Sequence, residues 1–236
     1  KRDKKSLKFI FPKKCPSCGS KTIKEFNNVT KKEDAVRRCS SEGYDCEKIA
    51  IEKLKHFVSK EAFNIEGFGK KIVENFWKLN LIKLPQDIFN LDFKEIENLE
   101  GWGRQSMENL KYSINQKKNI SLERLIYSLG IRHIGLENAK ILSKYFKSFS
   151  NFINFSNEVN SDDILNIDGI GETQLQSVKN FFDNKLFNLL IFNFIKKIGN
   201  YLAEKNLLGH KHIIYFLHNF VEDRRIDSFI YKNGKS

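Results

Sequence analysis

Three prolines, one methionine and thirteen glycines among 236 residues leave this chain poor in turn formers, which argues against a loop-dominated β fold. No apolar run reaches membrane-spanning length, for Leu186 to Ile195 is short and carries asparagine. The first residues show no secretory signal pattern, and no cysteine occurs after position 46. A disordered chain is excluded by 40% hydrophobic and 13% aromatic residues. Leu, Ile, Phe, Lys, Glu and Asn dominate instead, and a chain of this length can hold one or two domains with a real core. The composition predicts a mainly helical fold.

Against this background one pattern recurs. Ile65-Glu66-Gly67-Phe68-Gly69, Leu99-Glu100-Gly101-Trp102-Gly103, Ile131-Arg132-His133-Ile134-Gly135 and Ile167-Asp168-Gly169-Ile170-Gly171 have their final glycines 34, 32 and 36 residues apart. Each lies between stretches of helical periodicity, so the unit reads helix, tight hairpin, helix. The stripes are Ile49, Leu54, Phe57 and Val58 before the first hairpin, and Ile72, Val73, Phe76 and Trp77 after it. A helix over Lys94 to Leu99 precedes the second, with Met107, Leu110 and Ile114 following. Leu122, Leu125, Ile126 and Leu129 precede the third, and Ala139, Leu142, Tyr145 and Phe146 follow. Asp162, Asp163, Ile164 and Leu165 lead into the fourth, and Leu175, Val178, Phe181 and Phe182 come after it.

A Gly-hydrophobe-Gly turn leaves backbone N–H groups unshielded at the start of the second helix. With the positive end of the helix dipole they form a seat for a phosphate. Gly67, Gly69, Gly101, Gly103, Gly135, Gly169 and Gly171 are the candidate contacts. Helix caps alone explain one glycine per turn, but not a second two residues later. Lys70, Lys71 and Arg104 begin the helices after the first two hairpins, a poor place for a cation unless an anion intervenes. In the third copy Arg132 and His133 bring side-chain donors where a glycine stands elsewhere. Glu172 occupies the matching place in the fourth, which points to weaker binding or to packing. Phe68, Trp102, Ile134 and Ile170 read as core residues pinning the helices, in preference to base-stacking groups.

All four cysteines fall in one segment: Cys15-Pro16-Ser17-Cys18-Gly19, then Cys39 after 20 residues and Cys46 after six more. The Cys-x-x-Cys-Gly turn lets two thiolates share one metal. Cys39 and Cys46 complete a tetrahedral four-sulfur set with no open position, hence a structural zinc. Two disulfides or four free thiols are the alternatives, and an expected cytoplasmic location disfavours the former. His56 reads as a helix-face residue.

The net charge of +12 points to a polyanion, the alternative being a solvated surface from a Lys-rich codon bias. Residues 1–60 hold 17 of the 41 basic residues and 8 of the 29 acidic ones.

Cysteine knuckle, basic approach and four hairpins, in this order, resemble the C-terminal half of bacterial NAD⁺-dependent DNA ligases over about residues 9–200. The segments that carry it are Cys15–Gly19, Asn64–Gly69, Leu99–Gly103 and Ser128–Gly135. The resemblance implies a linker or OB-fold end over 1–12, a zinc finger over 13–48 and a helix-hairpin-helix domain over 49–200. It also implies minor-groove contact with nicked duplex DNA, nick sealing in replication and repair, and a bacterial, nucleoid-associated location. The family's nucleophile, a Lys in Lys-x-Asp-Gly, is absent; the one Asp-Gly, Asp168-Gly169, follows Asn166-Ile167. We therefore expect no catalytic residue here and no joining by this chain alone. NAD⁺ and Mg²⁺ would enter only through a separate catalytic half.

Residues 201–236 resemble a BRCT domain only in Leu208 to Phe216, and a frame shift near Phe216 is one explanation of the irregular tail. His210 and His212 are a weaker metal alternative. The start at Lys1 suggests part of a larger protein, split, truncated or decaying. A non-enzymatic repair scaffold built from the same modules is the rival reading.

Overall fold

The computed structural model describes residues 10–27, 31–41, 43–117, 120–148, 151–152 and 164–183. Asp162, Asp163, the Leu186–Ile195 run and the tail with His210 and His212 lie outside the described residues.

The cysteine segment is built from four two-residue strands, too short to make a core of their own. β1 (Thr22–Ile23) pairs antiparallel with β4 (Arg38–Cys39), and β2 (Phe26–Asn27) with β3 (Lys32–Glu33). Thr22 lies opposite Cys39, and Phe26 opposite Glu33. Ile23, Phe26 and Val36 are exposed. With its apolar side chains outward, the segment needs covalent or metal cross-linking to persist.

Helix α1 (Glu47–Val58) follows at once, capped by Cys46. Its buried face is Ala50, Ile51, Leu54, Phe57 and Val58, spaced for one side of a 3.6-residue helix. The chain then turns under Arg124, whose Nε donates to the Ala62 carbonyl at 2.8 Å and whose Nη2 donates to the Lys60 carbonyl. Phe63 stacks on Phe57 with ring centroids 4.2 Å apart. Helix α2 (Lys70–Lys78) buries Val73, Phe76 and Trp77. Lys55 ties α1 to α2 through Glu74 at 2.7 Å.

A 3₁₀ turn over Pro85–Asn90 follows, its start held by Asp87, whose Oδ2 accepts from the amides of Lys83 and Leu84, both at 2.8 Å. Asp92 caps the short α3 (Phe93–Glu97), accepting from Lys94 N at 2.9 Å. The helix anticipated over Lys94 to Leu99 thus starts and stops earlier. Leu99 is withdrawn from it because its carbonyl accepts from Trp102 N at 3.0 Å to close the next turn. Helices α4 (Arg104–Gln116), α5 (Leu122–Ser128), α6 (Leu136–Phe146) and α7 (Glu172–Asp183) complete the described elements.

The helices enclose two hydrophobic cores. The first runs from Ala50 to Leu125 and holds hairpins one and two; the second runs from Ile126 to Phe182 and holds hairpins three and four. Leu125 and Ile126 are neighbours on α5, and the 100° step between them sends one side chain to each core. In the first core Phe68 and Trp102 both pack on Phe76, with ring centroids 5.5 Å away in each case. In the second, Phe152 touches Phe146 at 5.3 Å and Phe182 at 5.1 Å. Phe68, Ile134 and Ile170 are buried and Trp102 is packed against the core, as expected of pinning residues. Tyr145, anticipated on the buried stripe of α6, is exposed, with its ring centroid 5.0 Å from that of Phe146.

Phe76 is fully buried and joins both first-core hairpins. Phe76→Ala should destabilise the protein by about 3–5 kcal/mol in urea unfolding followed by circular dichroism. A loss under about 1 kcal/mol would contradict this packing.

Candidate nucleic-acid interface and metal centre

Each hairpin is the same hydrogen-bonded turn. Phe68, Trp102, Ile134 and Ile170 donate their amides to the carbonyls of Ile65, Leu99, Ile131 and Ile167 at 3.2, 3.0, 3.1 and 3.0 Å. The third turn residue is left-handed in every copy: Gly67 at φ +77°, Gly101 at +79°, His133 at +61° and Gly169 at +89°. A turn of this kind needs positive φ there, which glycine adopts freely and His133 adopts at a cost of about 1 kcal/mol.

The final glycine of each copy then begins the next helix. Gly69, Gly103 and Gly135 are the N-caps of α2, α4 and α6, and none provides a side chain to satisfy the first amides. Among the described residues, a Cβ at Gly67, Gly69, Gly101, Gly103 or Gly135 would meet nothing within 4 Å, so these turns are open. The first turns of α2 and α4 hold no acidic residue, whereas α6 has Glu137 and α7 has Glu172. Lys70, Lys71 and Arg104 are exposed at the heads of α2 and α4, with Arg104 paired loosely to Glu108 at 3.1 Å. A groove of about 670 Å³ runs between the first two hairpins, lined by Gly67, Gly101, Trp102, Ser106, Asn109 and Tyr112 among others. Among the described residues the groove itself is lined by Glu66 and by no cation; the open amides, electropositive ends and exposed cations at the heads of α2 and α4 are what can hold an anion.

The other two hairpins are engaged by protein. At hairpin four, Gly171 N donates to Gln174 Oε1 at 3.2 Å, and a Cβ on Gly169 would lie 2.8 Å from Ile141 Cδ1. Gln174 stands at the third helical position, and its bond back to the cap amide is half of a capping box. That signal is present in the sequence and distinguishes this copy. At hairpin three, Arg132 turns to the cysteine segment: Nη2 meets Asp34 Oδ2 at 2.6 Å, and Nη1 pairs with Glu25. His133 is exposed, with burial of its ring and then the Arg132 charge holding its pKa below the ordinary value. Nothing in the sequence linked Arg132 to Asp34, 98 positions away.

The four thiols converge. Cys15, Cys18, Cys39 and Cys46 bring their sulfurs within 4.8 Å of one another, with Cys15 to Cys46 at 3.9 Å and Cys18 to Cys39 at 3.4 Å. Zn–S bonds of about 2.3 Å place tetrahedral thiolates about 3.8 Å apart, so the set fits a closed Zn²⁺ site. The knuckle closes through Gly19 N to the Cys15 carbonyl at 2.9 Å, with Gly19 at φ +74°. Bonds from Ser20 and then Ser41 bring the Cys18 thiol down to about 5, and the amides of Cys18 and Ser17 lower that of Cys15. Both shifts favour the thiolate a metal needs. Cys46 is buried at the N-terminus of α1, so one ligand belongs to the helical domain itself.

A closed four-thiol finger joined to tandem helix-hairpin-helix units defines the class. A family model described as "Helix-hairpin-helix motif" matches residues 124–191, the part holding hairpins three and four. DNA ligase of Pelagibacter ubique (strain HTCC1062) is 64% identical over 197 residues, covering 84% of this chain and 29% of that protein. DNA ligase of Parvibaculum lavamentivorans (strain DS-1) is 39% identical over 78% of this chain and 28% of its own length. That of Rickettsia canadensis (strain McKiel) is 40% identical over 86% of this chain and 30% of its own. By these matches the chain belongs with a segment of the bacterial DNA ligases, spanning less than a third of the length of the relatives it matches. Among the described residues no helix is long and apolar enough to cross a membrane.

Two outcomes follow from this geometry. The protein should take up one zinc ion, read by elemental analysis after dialysis, and Cys46→Ser should lower that content and fray α1; full retention by Cys46→Ser would exclude Cys46 as a ligand. His133→Gly should raise stability by up to about 1 kcal/mol in urea unfolding, because the left-handed turn no longer strains a side chain.

Proposed function

We propose that this chain is the duplex-gripping region of an NAD⁺-dependent DNA ligase. It holds backbone phosphates of nicked double-stranded DNA during nick sealing in replication and repair. The observation that carries the proposal is the pair of open glycine turns heading α2 and α4, flanked by Lys70, Lys71 and Arg104 and free of first-turn carboxylates. A duplex supplies repeated anions at fixed spacing, which tandem turns of one geometry suit. Recognition then rests on phosphates and duplex shape, not on base identity. The ligase relatives and the net charge of +12 support the same partner.

In this reading the finger spans residues 13–48, and its Zn²⁺ is structural. The gripping domain spans 49–200, with 1–12 as the approach from an OB-fold and 201–236 as a BRCT-like tail. Gly67, Gly69, Gly101, Gly103 and Gly135 offer amides, and Lys70, Lys71 and Arg104 offer charge. Arg132 and Gly171 are each engaged by a protein partner, and in this reading neither holds a phosphate. These residues contain no Lys-x-Asp-Gly, so in this reading adenylation with NAD⁺ and Mg²⁺ falls to catalytic residues outside them, on the same or a separate polypeptide, acting on the bacterial chromosome.

Zinc-loaded protein should retard plain and nicked duplexes of unrelated sequence in a gel shift at low salt, with log affinity falling steeply against log salt. Lys70→Glu combined with Lys71→Glu should weaken binding on the order of tenfold and flatten the salt slope by roughly 0.9 for each phosphate no longer neutralised. No retarded band, or a flat salt response in the unmodified protein, would overturn the proposal.

A further inference from the structure

The finger touches both helical cores, at opposite ends of its own length. At one end Cys46 belongs to the thiol cluster and also caps α1, whose buried face lies in the first core. At the other, Arg132 projects from hairpin three, between Ile131 and Ile134 of the second core, and reaches back to the strands. Its partners are joined to each other and to the metal set. Asp34 N donates to the Glu25 carbonyl at 2.7 Å, which fixes the two acidic residues side by side. Asp34 Oδ2 also receives Arg38 Nη1 at 2.9 Å, and Arg38 precedes the ligand Cys39 on β4. A continuous path therefore leads from the thiols through Arg38 and Asp34 to Arg132. Elsewhere the cores meet along α1 and α5, where His56 Nε2 lies 2.7 Å from the Tyr127 carbonyl.

We infer that the finger is a brace fixing the orientation of the two helix-hairpin-helix pairs, and that Arg132 is the positioning residue that seats it on hairpin three. The shared guanidinium explains why this copy carries arginine where the first two turns carry Glu66 and Glu100. Those glutamates are exposed beside open turns, whereas Arg132 is only a third exposed and faces two carboxylates. A phosphate arriving at Arg132 would have to displace both acidic groups. Hairpin three therefore docks the finger, leaving the stronger phosphate contacts to hairpins one and two. That last point rests on the duplex-gripping reading; the brace itself does not.

The test uses the zinc-loaded full chain and two readouts. Arg132→Gln should speed amide hydrogen exchange over residues 22–39 about tenfold while zinc content stays unchanged. The slope of log duplex affinity against log salt should also stay as in the unmodified protein, because every phosphate keeps its partner. Unchanged exchange in Arg132→Gln would overturn the brace. A slope lower by roughly 0.9 would make Arg132 a phosphate ligand and overturn it equally. If Arg132→Gln does not fold, Asp34→Asn puts the same question from the finger's side, with faster exchange over 22–39 expected and unaltered exchange overturning the inference. An unmodified protein that binds no duplex would remove the function proposed above, and exchange alone would then decide the brace.

Discussion

In each hairpin an apolar residue donates its amide to the carbonyl three residues earlier, and this one bond organises what surrounds it. To close the turn, the residue just before the donor must take positive φ. The donor's own side chain then has only one direction left, inward, where Phe68, Ile134 and Ile170 are buried and Trp102 packs against the first core. The next residue starts a helix, and a glycine there leaves the first amides without a local acceptor. Core packing and an electropositive outer surface thus arise from the same five residues. Phe76 ties two of these turns together from below, so the spacing of the outer amides is set by aromatic contact inside.

Electrostatics then separate turns that the backbone makes alike. A helix head with neither carboxylate nor side-chain cap remains available to an external anion, as at α2 and α4. At α7 the same head carries Glu172 and a Gln174 that occupies the glycine amide. Packing reinforces the difference, since Gly169 lies against Ile141 while the turns at Gly67 and Gly101 are open among the described residues. Four copies of one motif therefore do not imply four equal contacts.

The finger illustrates a different economy. Two-residue strands with outward apolar side chains cannot hold a fold by burial, and a metal held by the thiol cluster would supply the missing constraint. Because the residue bearing the fourth thiol stands at the N-cap position of α1, an ion there would stiffen the entry to the helical domain as well as the finger. The ion pairs at Arg132 are partly solvated and individually modest. Sharing two carboxylates with a planar guanidinium gives them direction that a single surface pair lacks.

Local patterns were legible in the chain itself. Positive φ at the first turn glycines, the Cys-x-x-Cys-Gly knuckle, the inward Phe68 and the helical stripes follow from residue type and spacing, because each is governed by neighbours within about one helical turn. Gln174 also belongs to this group, being three residues from the amide it caps. Other features were decided only when distant segments met. Two cores in place of one depend on adjacent α5 residues facing opposite ways, and Tyr145 is exposed although its spacing suited burial. The partnership of Arg132 with Asp34 and Glu25 spans about a hundred positions and leaves no periodic trace. Sequence determines turns and helix faces because short-range sterics and hydrogen bonds do; which charges are left facing solvent depends on what the folded chain brings beside them.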